Sequence, residues 1–249
     1  MKSQLTTPGT LLPTGSLRTA ASESPRRWPW LMLAALIATV LAIPTWKAVS
    51  APDSLEEVAL VGDRGPGCIR LVVANDQSGS MTDFAVPREQ ALAQFLRWAP
   101  TNLRADDEIA VLAFTDHVKT VLEPISVTAR PTVELLTIDG QDTLFAPVIS
   151  AISQLPATAC STALVLLSDG VMSDLSGDAE TARGQLRTAG VNEVFLLVPG
   201  ESIDVAPGWT QTYPYAAPVR FNGTDPAETG LVFGQTLASM TGQNLEKTS

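Results

Sequence analysis

Histidine is nearly missing from this sequence: its 249 residues include one, His117. A histidine zinc site and a Ser-His-Asp triad both need a residue the chain barely supplies, which removes two large classes of hydrolase. There is also no glycine-rich phosphate cradle and no Gly-x-Ser-x-Gly elbow, so the expectation is that the protein is not an enzyme. Positive charge is scarce as well. Sixteen Lys and Arg stand against 26 Asp and Glu, a formal net charge of -10. Phosphate backbones repel an acidic surface of this kind, which excludes nucleic acid as a partner and favours cations and basic or neutral protein surfaces. Cysteine is limited to Cys68 and Cys160.

The chain is 45% hydrophobic and 17% charged, in the globular range, and its length allows one full-sized domain plus an appendage. Residues 1–27 are rich in Ser, Thr, Pro and Gly and lack apolar periodicity, which predicts a disordered tail. Residues 28–46, WPWLMLAALIATVLAIPTW, carry no charge and have Trp at both ends, as a transmembrane anchor does at its two interfaces. Arg26 and Arg27 precede this segment and acidic residues follow it. The positive-inside rule then leaves the tail in the cytoplasm and the rest of the chain outside, as a single-pass membrane protein. A cleaved signal peptide is the competing reading, since Val49-Ser50-Ala51 offers small residues to a peptidase. Residues 47–57 read as a linker and 58–245 as the folded domain.

Within that domain the apolar runs 69–74 (broken only by Arg70), 109–114, 163–167 and 194–198 read as strands buried on both faces. Helical patterns lie between them, at 87–99, 144–155 and 178–189, with Asp178 as a cap and Gly190 as a stop. Residues 118–122 follow a short polar link and read as the second arm of a hairpin. A strand at 219–222 and a helix at 226–240 finish the chain, and 58–61 adds an initial strand segment. The fold class is α/β, a doubly wound, mainly parallel central sheet with one antiparallel edge strand and helices on both faces.

Ligands of such sheets bind at the carboxyl ends of the strands. There the sequence places Asp76-Gln77-Ser78-Gly79-Ser80, then Thr143 ahead of a helix, then Ser168-Asp169-Gly170. Oxygen donors arriving from three loops suit a hard cation. The bland alternative is that these residues cap helices and satisfy turn amides. The spacing Asp76-x-Ser78-x-Ser80, with Thr143 and Asp169 further along, resembles the metal-ion-dependent adhesion site of von Willebrand factor A domains. The resemblance covers residues 58–245 and includes the element order. It implies that Ser78, Ser80 and Thr143 touch the metal, while Asp76 and Asp169 hold it partly through water.

Magnesium is the implied ion, with manganese or calcium as substitutes. Neutral hydroxyl ligands leave it unneutralised charge, so an acidic side chain on a partner protein can complete its shell. Asp142 and Asp174 read as solvated loop carboxylates or tuning charge, and Phe145 as either a ligand contact or core packing. In the strand order of this fold, Cys68 and Cys160 start neighbouring strands, within disulfide reach; two free core thiols are the alternative. The function expected is divalent-metal-dependent protein recognition, of the cell-adhesion kind, outside a membrane. A structural scaffold subunit of an envelope or transport complex, in which the metal only stabilises loops, is the alternative, and a metal-dependent hydrolase is a third.

Overall fold

A computed structural model describes residues 51–248, apart from 135–137 and 141. The expected cytoplasmic tail and the anchor at 28–46 lie outside the described residues, among which no helix is long and apolar enough to cross a membrane.

Six strands form the main sheet, in the order β4-β3-β2-β5-β6-β7. They are β2 (Ile69–Asp76), β3 (Glu108–Phe114), β4 (Val118–Ser126), β5 (Ser161–Leu167), β6 (Val191–Val198) and β7 (Val219–Arg220). All neighbours run parallel except β4, which turns back along β3. The expected mainly parallel sheet with one antiparallel edge is therefore present. A separate two-stranded ribbon pairs the expected strand β1 (Val58–Val61) with β8 (Asn244–Lys247), which the sequence did not announce, in antiparallel register.

Strand β2 lies inside the sheet, and its apolar run serves both faces. Leu71 and Val73 pack with Leu92, Phe95 and Leu96 of α1 (Ala85–Asn102) and with Phe233 and Leu237 of α5 (Pro226–Thr241). Val72 and Ala74 point the other way, against Val148 and Ile152 of α2 (Ala146–Gln154), Ala182 and Leu186 of α3 (Ala179–Thr188), and Trp209 of the short α4 (Pro207–Thr212). Alternation along one strand thus fills two cores, and residues 71–74 are accordingly unbroken by a polar side chain. As expected, Asp178 caps α3, accepting from the Glu180 amide at 3.0 Å.

The amino ends of the strands are closed by covalent and ionic links. Ile69 pairs with Ser161, so Cys68 and Cys160 face each other one step earlier, and they form a disulfide with a Cα–Cα distance of 4.6 Å. The expected bridge is borne out. Beside it, the fully buried Asp107 accepts from Arg64, from the Ile69 amide at 2.8 Å and from the Arg104 amide at 2.7 Å. Arg70 adds a pair to Glu108 at 2.6 Å. A carboxylate buried with this many donors loses little on leaving water.

The bridge spans a sequence separation of 92, so it restricts the unfolded chain substantially. A Cys68→Ala/Cys160→Ala variant is expected to lose about 2–4 kcal/mol of stability in denaturant unfolding, with no change in the fold.

Candidate metal centre

At its carboxyl end β2 delivers Asp76 into the interior, fully buried. Both carboxylate oxygens are engaged: one accepts from the Ser78 amide at 2.8 Å and the other from the Ser168 hydroxyl at 2.6 Å. Burial pushes the Asp76 pKa up from 3.8; the Ser168 and Ser78 hydrogen bonds oppose that, and the nearby charge of Asp169 adds to it.

Past Ser78 the chain enters a short 3₁₀ turn, Gly79–Phe84, closed by the Met81 amide donating to the Ser78 carbonyl at 2.9 Å. This tight turn brings Ser80 back toward Ser78, with the two hydroxyl oxygens 3.1 Å apart. Ser80 also donates to Asp169 at 2.7 Å. The other Asp169 oxygen accepts from the Val171 amide at 2.9 Å, and Gly170 between them takes a φ of +75°. Only glycine suits that turn: the backbone is left-handed, and a Cβ would come within 2.9 Å of Leu196 and Val205.

Thr143 sits buried on the loop ahead of α2. On one side of it the Leu144 amide donates to the Thr115 carbonyl at 3.0 Å, and on the other its own carbonyl accepts from the Ser173 amide at 3.1 Å. Ser173 belongs to the same loop as Asp169. Asp76, Ser78, Ser80 and Asp169 therefore form one hydrogen-bonded cluster, and Thr143 is strapped to its neighbouring loop. Neither Asp76 nor Asp169 stands at a helix cap, though each satisfies a turn amide, that of Ser78 and that of Val171, as the bland alternative also expects.

Among the described residues no group of three or more His, Cys, Asp or Glu side chains is placed to hold a metal. The cluster offers two carboxylates together with hydroxyls, all hard oxygen donors. That set fits a small divalent cation such as magnesium and does not fit a soft metal.

Two neighbouring loop carboxylates do more than the sequence reading gave them, and a third residue falls on one of its two expected sides. Asp174 is no mere solvated carboxylate: it accepts from the Phe145 amide at 2.8 Å and the Ala146 amide at 2.7 Å, capping α2 from a distant loop. Asp142 braces the Thr143 loop, accepting from the Thr143 amide at 2.8 Å and the Ser173 hydroxyl at 2.7 Å. Phe145 is buried and packs edge-on against Trp209 and Tyr213, which settles its role as core. Two further residues escaped the sequence reading. Ser168 looks like a strand end, though its place beside Asp169 was a signal. Arg88 looks like any helix-surface charge, yet it is buried and donates to the Asp76 carbonyl.

Comparison with solved structures gives the architecture a name. A von Willebrand factor type A protein from Catenulispora acidiphila superposes with a TM-score of 0.54 and 19% identity, over 76% of this chain and 49% of that one. The fold is that of a von Willebrand factor A domain. Proximal thread matrix protein 1 from the mussel byssus, in a structure described as having a zinc-occupied MIDAS motif, matches at 0.52 with 12% identity over 72% of this chain and 50% of that one. The pilus adhesin SpaC from Lactobacillus rhamnosus GG, in an open conformation, matches at 0.51 with 10% identity, over 72% and 31% respectively. This chain thus spans half or less of the length of these three neighbours. No family model matches the sequence, and comparison with curated proteins finds no relative.

The raised pKa of Asp76 has a definite sign. The folded state holds the Asp76 proton to higher pH than the unfolded chain, so Asp76 stabilises the metal-free domain below its unfolded value of 3.8, and that contribution is lost as pH rises through its folded pKa. In chelator, wild-type stability relative to Asp76→Asn is expected to fall across that rise, read by denaturant unfolding at each pH. Ser168→Ala removes a buried donor from an ionised acceptor and is expected to cost about 1–3 kcal/mol in the same assay.

Proposed function

We propose that this protein is a membrane-anchored A domain, displayed on the outer side of its membrane, that recognises a protein partner through magnesium. Asp76, Ser78, Ser80, Thr143 and Asp169 would hold the ion. The observation that carries the reading is the joining of Asp76, Ser78, Ser80 and Asp169 in one hydrogen-bonded cluster at the carboxyl edge of the sheet.

When bound, the ion supplies an electrophilic site for an anionic oxygen from outside, such as a partner's Asp or Glu side chain. The chain's own residues set up that chemistry. Ser168 and the Ser78 amide hold the Asp76 carboxylate in one orientation, and the Val171 amide does the same for Asp169. Carboxylates restrained in this way need little reorganisation to act as ligands or to hold ligand waters. Ser78, Ser80 and Thr143 contribute neutral oxygens, so only the two carboxylates offset the ion's charge. The carboxylates flanking Thr143, Asp142 and Asp174, are tied to backbone amides, an arrangement that favours recognition over hydrolysis.

The neighbours favour the same use of this fold: one is described as carrying a zinc-occupied site of this type, and another as a pilus adhesin. The uncharged segment 28–46, with its Trp flanks and preceding arginines, supports the anchor and the outward orientation.

Thermal unfolding in magnesium and in chelator tests the ion. Wild type is expected to gain about 2.7 kcal/mol at a hundredfold excess over Kd, and Asp76→Ala to gain nothing. Partner recovery from native membranes then tests recognition. A partner retained by wild type in magnesium, and lost with chelator or with Asp76→Ala, is the expected result. Partners retained under all four conditions by folded protein would overturn metal-dependent recognition in favour of the scaffold role.

A further inference from the structure

Arg88 lies in the first turns of α1 with 2% of its surface exposed, and its guanidinium donates to the carbonyl of Asp76. A group bonded to that carbonyl necessarily stands close to the carboxylate of the same residue. Among the described residues no carboxylate closes a salt bridge on Arg88, and its Nε is buried without a hydrogen-bond partner. Burial lowers its pKa to about 10, with Asp76 and Glu89 opposing the shift, so it remains a cation at neutral pH. A buried cation with an unmade hydrogen bond is costly, and an apolar side chain would fill the same space without that cost. Packing alone does not explain it.

We infer that Arg88 is a fixed positive charge beneath the metal centre that weakens its hold on the bare cation and strengthens the occupied centre's pull on a carboxylate. This inference rests on the metal-dependent reading above. Asp76 and Asp169 bring two negative charges and Arg88 brings one positive. A divalent cation therefore leaves the centre with one uncancelled positive charge, whereas without Arg88 the same ion would only neutralise it. The buried position matters, because salt screens a desolvated charge far less than a surface one. Arg88 thereby makes cation and anionic ligand bind together, and makes each depend on the other to the same degree.

The test is calorimetric titration of magnesium into the full chain in detergent, with and without acetate as the probe anion. Arg88→Gln keeps an N–H donor for the Asp76 carbonyl and removes the charge; Arg88→Lys keeps the charge. Without acetate, Arg88→Gln is expected to bind magnesium about tenfold more tightly than wild type, the scale of one unit charge acting on a partly buried site. The strengthening of magnesium binding by acetate is expected to shrink in Arg88→Gln and to persist in Arg88→Lys. Unchanged magnesium affinity and unchanged acetate coupling in folded Arg88→Gln would overturn the inference while leaving the metal centre standing, as would a weakened magnesium affinity. Absence of magnesium binding by wild type would instead remove the metal reading itself. Should Arg88→Gln not fold, Arg88→Met, which also removes the charge, is read by the same outcomes, and magnesium binding without acetate coupling in Arg88→Lys overturns the inference.

Discussion

A carboxylate has been taken out of water at the end of an interior strand, and much of the local structure answers to that one fact. Asp76 follows the apolar run of β2, where the sheet leaves its cores, and it is fully buried there. An isolated buried carboxylate would be prohibitively expensive. Ser168 from the adjacent strand end and the amide of Ser78 therefore donate to it, and Arg88 arrives from the following helix to hold its carbonyl. Two separate parts of the chain are fixed by that single charge, and a third by the carbonyl of the same residue.

The two ends of the sheet handle charge in opposite ways. At the amino ends, a disulfide and the Arg64–Asp107 pair satisfy one another, and Asp107 receives enough donors to be electrostatically quiet. At the carboxyl ends, two carboxylates approach each other with hydroxyls between them, and burial, with the charge of Asp169 adding to it, raises the proton affinity of Asp76. One end is closed chemistry. The other retains an appetite for positive charge, and it lies at the edge where parallel sheets bind their ligands.

The loops around the centre are held more firmly than their lack of regular structure suggests. Asp174 caps α2 across a gap in sequence, Asp142 ties Thr143 to Ser173, and Leu144 bonds to the Thr115 carbonyl at the β3–β4 turn. Phe145 anchors the same loop in the aromatic cluster with Trp209 and Tyr213. Thr143 is presented from a braced platform, so its position is coupled to the packing of α2 and α4 beneath it. Preorganisation of this kind lowers the cost of ordering donors around an ion.

The sequence by itself determined the architecture, because residues 71–74 of β2, 109–114 of β3, 163–167 of β5 and 194–198 of β6 are apolar without interruption, as strands covered on both faces need to be. It also determined which oxygen donors lie at the strand ends, since Asp76, Ser78, Ser80 and Asp169 directly follow those runs. The Cys68–Cys160 bridge was legible as a possibility and became definite only through the register that pairs Ile69 with Ser161. Tertiary structure alone decided the rest. The β1–β8 ribbon joins the two ends of the domain, and nothing local marks Asn244–Lys247 as a strand. Asp174, Asp142 and Arg88 look in sequence like ordinary solvated charges. Their roles depend on which backbone amides and carbonyls the fold leaves exposed beside them, a long-range property that periodicity and spacing do not encode.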